Sequence, residues 1–157
     1  EGELAVVIGK PGRHISQDAA MSHVAGYSCY NDGSVRDWQR HTSQFTAGKN
    51  FASTGAFGPW LVTADEIKDP FNLDLVTRIN GTELQRTNTS LLIHSIQKLI
   101  SYISDFTPLV PGDVIVTGTC GGVGFVRKPP IFLKPGDTVE VEISEVGTLV
   151  NSVADEG

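Results

Sequence analysis

Glu1-Gly2-Glu3-Leu4-Ala5-Val6-Val7-Ile8-Gly9 opens the chain and decides how the rest is read. Successive residues of a strand point to opposite faces, so Glu1 and Glu3 share one face while the apolar run behind them anchors the strand in a sheet. Two carboxylates this close repel unless a cation or a proton lies between them. Asp32, in Asn31-Asp32-Gly33, is the third acid of interest. If it converges on the pair, the three form a hard, all-oxygen site for Mg²⁺, Mn²⁺ or Ca²⁺. The bland alternative for Glu-x-Glu is an exposed edge strand carrying two surface charges.

Working outward, the spacing predicts a turn at Lys10-Pro11-Gly12 and a helix over Gln17–Ala25, capped by Ser16 and ended by Gly26. A second strand, Tyr27–Asn31, delivers Asp32 at its end, and one or two helical turns follow over Ser34–Arg40. Asp32 also suits the N-cap of that short helix. Arg36 and Asp37 read as a surface pair or a local brace. Thr42–Trp60 has no clean period and reads as a long ordered loop, a kind usually kept for function. Leu73–Asn80 alternates into a hairpin at Asn80-Gly81. Asn88 or Thr89 opens a helix whose stripe runs from Leu91 to Ile103, with His94 beside it. Pro111-Gly112-Asp113 and Pro135-Gly136-Asp137 are turns before the strands Val114–Thr117 and Thr138–Ile143. Short strands with two helices imply a mixed, mostly β fold with a few short helices (α+β), and no βαβ alternation supports a Rossmann sheet.

Composition bounds the function. The 157 residues are of single-domain size, 39% hydrophobic and 19% charged, which is ordinary for a globular protein. A net charge of −6 argues against a general nucleic-acid partner, and no run of eighteen apolar residues offers a membrane span. Cys29 and Cys120 suggest neither a disulfide framework nor a zinc site, and with no targeting segment visible the expected compartment is the cytoplasm. The first residue is not Met, and termini fray, so an upstream segment is expected before Glu1.

Two further segments offer chemistry. Gly48-Lys49-Asn50-Phe51 sets a lysine in a loop rich in hydroxyls, where it could reach a substrate carboxylate or enolate oxygen; the alternative is a solvated loop lysine. Thr117-Gly118-Thr119-Cys120-Gly121-Gly122-Val123-Gly124 lets backbone amides approach an anion, or is simply a glycine-rich turn. Cys120 lacks a basic neighbour that would make it a nucleophile.

Together these segments resemble the fumarylacetoacetate hydrolase family, in its bacterial branch. The likeness rests on Glu1–Gly9, on Asn31-Asp32-Gly33-Ser34-Val35-Arg36-Asp37-Trp38-Gln39, on Gly48-Lys49-Asn50-Phe51 and on Phe57-Gly58-Pro59-Trp60. It continues through Pro111-Gly112-Asp113-Val114-Ile115, Thr117-Gly118-Thr119 and Leu133-Lys134-Pro135-Gly136-Asp137, in the family's order. The resemblance implies a β-roll fold over residues 1–157 as one catalytic domain, commonly a homodimer. It implies a divalent metal, Mg²⁺ first, on Glu1, Glu3 and Asp32, with Lys49 catalytic and Gln39 and Thr119 touching substrate. It further implies hydrolytic cleavage of a C–C bond in an acylpyruvate-like 2,4-dioxo acid through a stabilised enolate. A tautomerase, hydratase or decarboxylase of a 2-oxo acid, or a non-catalytic domain, are the alternatives. The family's proton-transferring histidine and lid acid lie upstream of the Glu-x-Glu pair, and Cys120 replaces the proline of its glycine-rich turn.

Overall fold

The structure, a computed structural model, describes residues 1–155; the last two residues of the expected 1–157 domain lie outside it. Two four-stranded antiparallel sheets form it, as the mostly β reading expects. The first contains β1 (Gly2–Ile8), β2 (Val24–Asp32), β3 (Gly55–Thr63) and β6 (Val114–Val116), in the order β3-β2-β1-β6. The second contains β4 (Asp74–Ile79), β5 (Thr82–Asn88), β7 (Thr138–Ile143) and β8 (Gly147–Ser152), in the order β5-β4-β7-β8. Leu4, Tyr27 and Cys29 of the first sheet join Leu75, Val141, Ile143 and Leu149 of the second in one core. Strand β1 is buried along all seven residues, which rules out the edge-strand alternative for the residues that carry Glu3.

Among the described residues there are three short α-helices: α1 (Gln17–Ala20), α2 (Arg36–Gln39) and α3 (Ile96–Phe106). Helix α1 is capped by Ser16 as expected, but it stops at Ala20 and a 3₁₀ turn leads into β2 at Val24. Gly26 is therefore not a helix end. It lies where β2 meets β3, and a Cβ there would stand 2.1 Å from the Val62 carbonyl oxygen, so glycine serves close strand approach. The expected loop over Thr42–Trp60 holds a 3₁₀ turn at Phe45–Gly48 and then becomes β3 from Gly55. Helix α3 begins after Ser95, whose Oγ accepts from the Lys98 N–H; Thr89–Leu91 is only a 3₁₀ turn, and His94 lies exposed ahead of the helix. Strand β8 carried no signal strong enough to mark it beforehand. Both Pro-Gly-Asp turns form as read, with Asp113 and Asp137 each accepting a backbone N–H three residues back at 2.8 Å.

Candidate metal centre

The β1–β2 ladder builds the acidic site. Gly2 pairs with Asn31 and Glu3 with Tyr30, and the Asp32 N–H donates to the Glu1 carbonyl at 2.8 Å. Cross-strand partners share a face, so Glu1 and Asp32 lie side by side with Glu3 one pleat further along. One carboxylate oxygen from each lies within 4.8 Å of the others. Asp32 is thus part of a strand and caps no helix; Val35 stands at the N-cap of α2 without a side-chain bond.

Lys49 reaches the same point. Its Nζ donates to Glu1 Oε2 at 2.8 Å and to Asp32 Oδ2 at 2.5 Å, so it is no solvated loop lysine. Gly48 makes this reach possible: a Cβ there would press to within 2.6 Å of the Gln39 backbone, and the Val35 N–H binds the Gly48 carbonyl at 2.9 Å. Arg36, read from sequence as a surface pair or brace, instead turns inward. Its guanidinium donates to Glu1 Oε1 at 2.8 Å and to Gln39 Oε1 at 2.5 Å, and stacks over Phe125 at 5.0 Å.

The electrostatics follow from these partners. Burial opposes ionisation of Glu1, but the hydrogen bonds from Lys49 and Arg36 outweigh it and hold the carboxyl below its usual range. Burial likewise opposes the Lys49 charge, and Asp32 and Glu1 overcome it, pushing Lys49 above its ordinary value. Glu3 is different. Only 4% exposed, it is pushed up to about 7 by burial, with its Oε2 accepting the Gly118 N–H at 2.5 Å in partial compensation.

Of the two expected substrate contacts, Gln39 is buried and engaged by Arg36. Thr119 donates its hydroxyl to the Gly2 carbonyl at 3.2 Å and accepts from Gln85 Nε2 at 2.9 Å. Gln85 was not foreseen: buried in β5, it also accepts the Gly2 N–H at 3.1 Å, tying the backbone between the two glutamates to the glycine-rich segment. Its one sequence signal is an inward-pointing amide in an alternating strand. Arg36 had the signal of a partner three residues on, Gln39. A cavity of about 220 Å³ opens beside the acids, with Glu1, Asp32 and Arg36 in its lining. None of the four histidines lines it; His23 Nδ1 meets the Lys10 carbonyl and His14 meets Asp105. Burial pushes the Cys120 thiol up, consistent with an inert side chain.

Three converging carboxylates are the oxygen donor set a hard divalent ion takes, so the residues present fit one. Comparison with known proteins places the chain in a family. The family model described as fumarylacetoacetate (FAA) hydrolase C-terminal matches residues 1–154. The chain is 49% identical to the human mitochondrial oxaloacetate tautomerase FAHD2A over 155 residues, 98% of this chain and 49% of that protein. It spans about half the length of the curated relatives it matches. The crystal structure of a putative HpcE protein from Mycobacterium smegmatis superposes with a TM-score of 0.95 at 44% identity, over 99% of this chain and 58% of that one. The maleylpyruvate hydrolase of Sphingobium sp. SYK-6, solved in complex with manganese(II) and pyruvate, superposes at 0.87 with 33% identity, over 100% and 54%. From its matched span and its shared fold, this chain belongs to the fumarylacetoacetate hydrolase family, as that family's C-terminal domain.

Proposed function

We propose that Glu1, Glu3 and Asp32 hold a divalent cation, Mg²⁺ or Mn²⁺ before Ca²⁺, at which the whole protein activates a 2-oxo acid. The observation that carries this reading is the convergence of three carboxylates on one point with Lys49 bonded to two of them. When bound there, the cation supplies a Lewis acid and a template for the adjacent oxo and carboxylate oxygens of the substrate. Lys49, kept protonated by its acids, places positive charge where an enolate oxygen develops. Arg36 orients Glu1 and Gln39, and Thr119 with Gln85 fixes the backbone that presents the pair of glutamates. Gln39 and Thr119 contact substrate once those partners shift.

The reaction read first is hydrolysis of a 2,4-dioxo acid. Water adds to the 4-oxo carbon, the C3–C4 bond breaks, and its electron pair passes to the pyruvate fragment as an enolate that takes a proton. The products are a carboxylic acid and pyruvate. The second reading, tautomerisation of oxaloacetate, is favoured by the names of the curated relatives and needs the same enolate without water addition. A homodimer is proposed as well, supported by Phe57, Trp60 and Leu61 standing exposed along β3. The free thiols of Cys29 and Cys120 support a reducing compartment, cytoplasmic in the first reading and mitochondrial for the curated relatives named above. None of the described helices is long and apolar enough to cross a membrane.

An assay of the whole protein with Mn²⁺ on acylpyruvates and oxaloacetate, following pyruvate release and keto–enol exchange separately, tests the reading. Metal-dependent turnover of either supports it. Bound metal without turnover of any 2-oxo acid refutes it.

A further inference from the structure

Hydrogen bonds occupy only the edge of a planar guanidinium and leave its faces open to stacking. The edge of Arg36 donates to Glu1 Oε1 and to Gln39 Oε1, and one face lies over the Phe125 ring, 5.0 Å from Cζ to the centroid. The segment that carries Phe125 is pinned in place. The Arg127 guanidinium donates to the Gly122 carbonyl at 2.9 Å and to the Leu84 carbonyl on β5. A Cβ at Gly122 would stand 2.4 Å from that Leu84 oxygen, and one at Gly124 would stand 2.4 Å from the Ile131 carbonyl oxygen. The Ile131 N–H donates to the Gly124 carbonyl at 3.0 Å, which closes a loop around the 3₁₀ turn Gly124–Val126. Within that turn Val126 is 68% exposed, whereas Phe125 is half-buried against Arg36. Next to the gripped Leu84 carbonyl, Gln85 accepts the Gly2 N–H. Both anchors of the segment therefore meet residues that brace the start of β1.

Resting on the proposed metal centre, we infer that Phe125 is a positioning residue for it, acting through Arg36. The ring holds the guanidinium in the plane from which it bonds Glu1 Oε1. That bond leaves Glu1 Oε2 facing Asp32, where Lys49 spans the two carboxylates. An aliphatic side chain of similar bulk fills the same space but offers no negative face to the cation. Such a stack is worth about twofold in an equilibrium when exposed and about thirtyfold when desolvated. Arg40 approaches the same ring at 5.4 Å, yet among the described residues it bonds none of the three acids, so the link to the metal centre runs through Arg36. Exchanging Phe125 for leucine changes no charge. A change in metal affinity then reports the placement of Glu1 and not the net charge of the site.

A double-mutant cycle on the whole protein, read by EPR titration with Mn²⁺, tests this. Phe125→Leu should weaken Mn²⁺ affinity about 3- to 10-fold, within the reach of an outer-shell residue. Phe125→Tyr keeps the ring face and should stay within about twofold of wild type. In an Arg36→Met background, Phe125→Leu should cost less than about twofold, because the group it acts through is gone. Equal losses in both backgrounds, or no loss beside an intact Arg36, overturn the inference. NMR of the wild-type protein reads the contact without any Phe125 variant. The Arg36 Nε–H proton, identified by its absence in Arg36→Met, should be shifted upfield by the ring, and an unshifted signal overturns the inference even if Phe125→Leu does not fold. Failure of the wild type to bind Mn²⁺ at all overturns the metal-site reading itself.

Discussion

Replacing Glu3 with glutamine separates what the site costs from what it does. Glu3 is 4% exposed and its carboxyl is raised from 4.5 to about 7, chiefly by burial. A raised carboxyl means that the folded protein binds more protons than the unfolded chain between those two values. Stability of the metal-free protein therefore falls as pH rises through that window, and the full cost is present above about pH 7. At 1.36 kcal/mol per pKa unit, the ionised side chain costs about 3 kcal/mol. Glutamine keeps an oxygen for the Gly118 N–H and removes the charge. In EDTA near pH 8, Glu3→Gln should raise the Tm by about 6–12 °C, at about 2–4 °C per kcal/mol for a domain of this size. Near pH 5, where the native carboxyl is already protonated, the two proteins should melt together. Added Mn²⁺ should then stabilise the wild type and not the variant. Differential scanning fluorimetry at both pH values, with and without metal, reads all four conditions. A variant no more stable than wild type near pH 8 in EDTA would show that Glu3 carries no burden of charge, and the reasoning would fail.

Other perturbations have distinct signatures. Asp32→Ala should weaken Mn²⁺ binding by more than about 100-fold, since even outer-shell losses reach that range; unchanged affinity in an EPR titration removes Asp32 from the ligand set. Lys49→Met should cut turnover by about 100- to 1,000-fold, the scale for loss of one charge-stabilising donor, while Mn²⁺ affinity holds or tightens because two carboxylates lose a competing ammonium. Equal turnover would return Lys49 to a structural role. Gln85→Leu leaves the Gly2 N–H and the Thr119 hydroxyl short of a partner, so chemical denaturation should register a loss of about 2 kcal/mol. Mn²⁺ affinity of that variant should drop about tenfold, and no change in either quantity would refute the tie.

How much of this was legible in the sequence depends on the range of each interaction. The glutamate pair could be read because a strand's two-residue period puts Glu1 and Glu3 on one face, and the Asn31-Asp32-Gly33 turn marks where the neighbouring strand ends. Arg36 resisted reading because its main partner, Glu1, is 35 positions away. Gln85 resisted for the same reason, with partners 83 and 34 positions distant. Gly26 misled because helix ends and tight strand contacts both favour glycine, and only pairing with β3 decides between them. The apolar run Leu91-Leu92-Ile93 extends the period of α3 backwards, yet Leu91 and Ile93 are 72% and 93% exposed and Ser95 caps the helix instead. Local pattern thus carried the strands and the ligand types, while tertiary pairing decided helix ends and the residues that brace the site.

Anomalous diffraction from a crystal soaked in Mn²⁺ tests the metal centre most directly. The expected result is one strong peak within about 2.0–2.6 Å of carboxylate oxygens from Glu1, Glu3 and Asp32, the distance range of hard cations on oxygen. Lys49 Nζ would then have given up at least one of its two carboxylate bonds. A saturating soak that leaves this point empty, or that places the ion on other residues, would contradict the assignment.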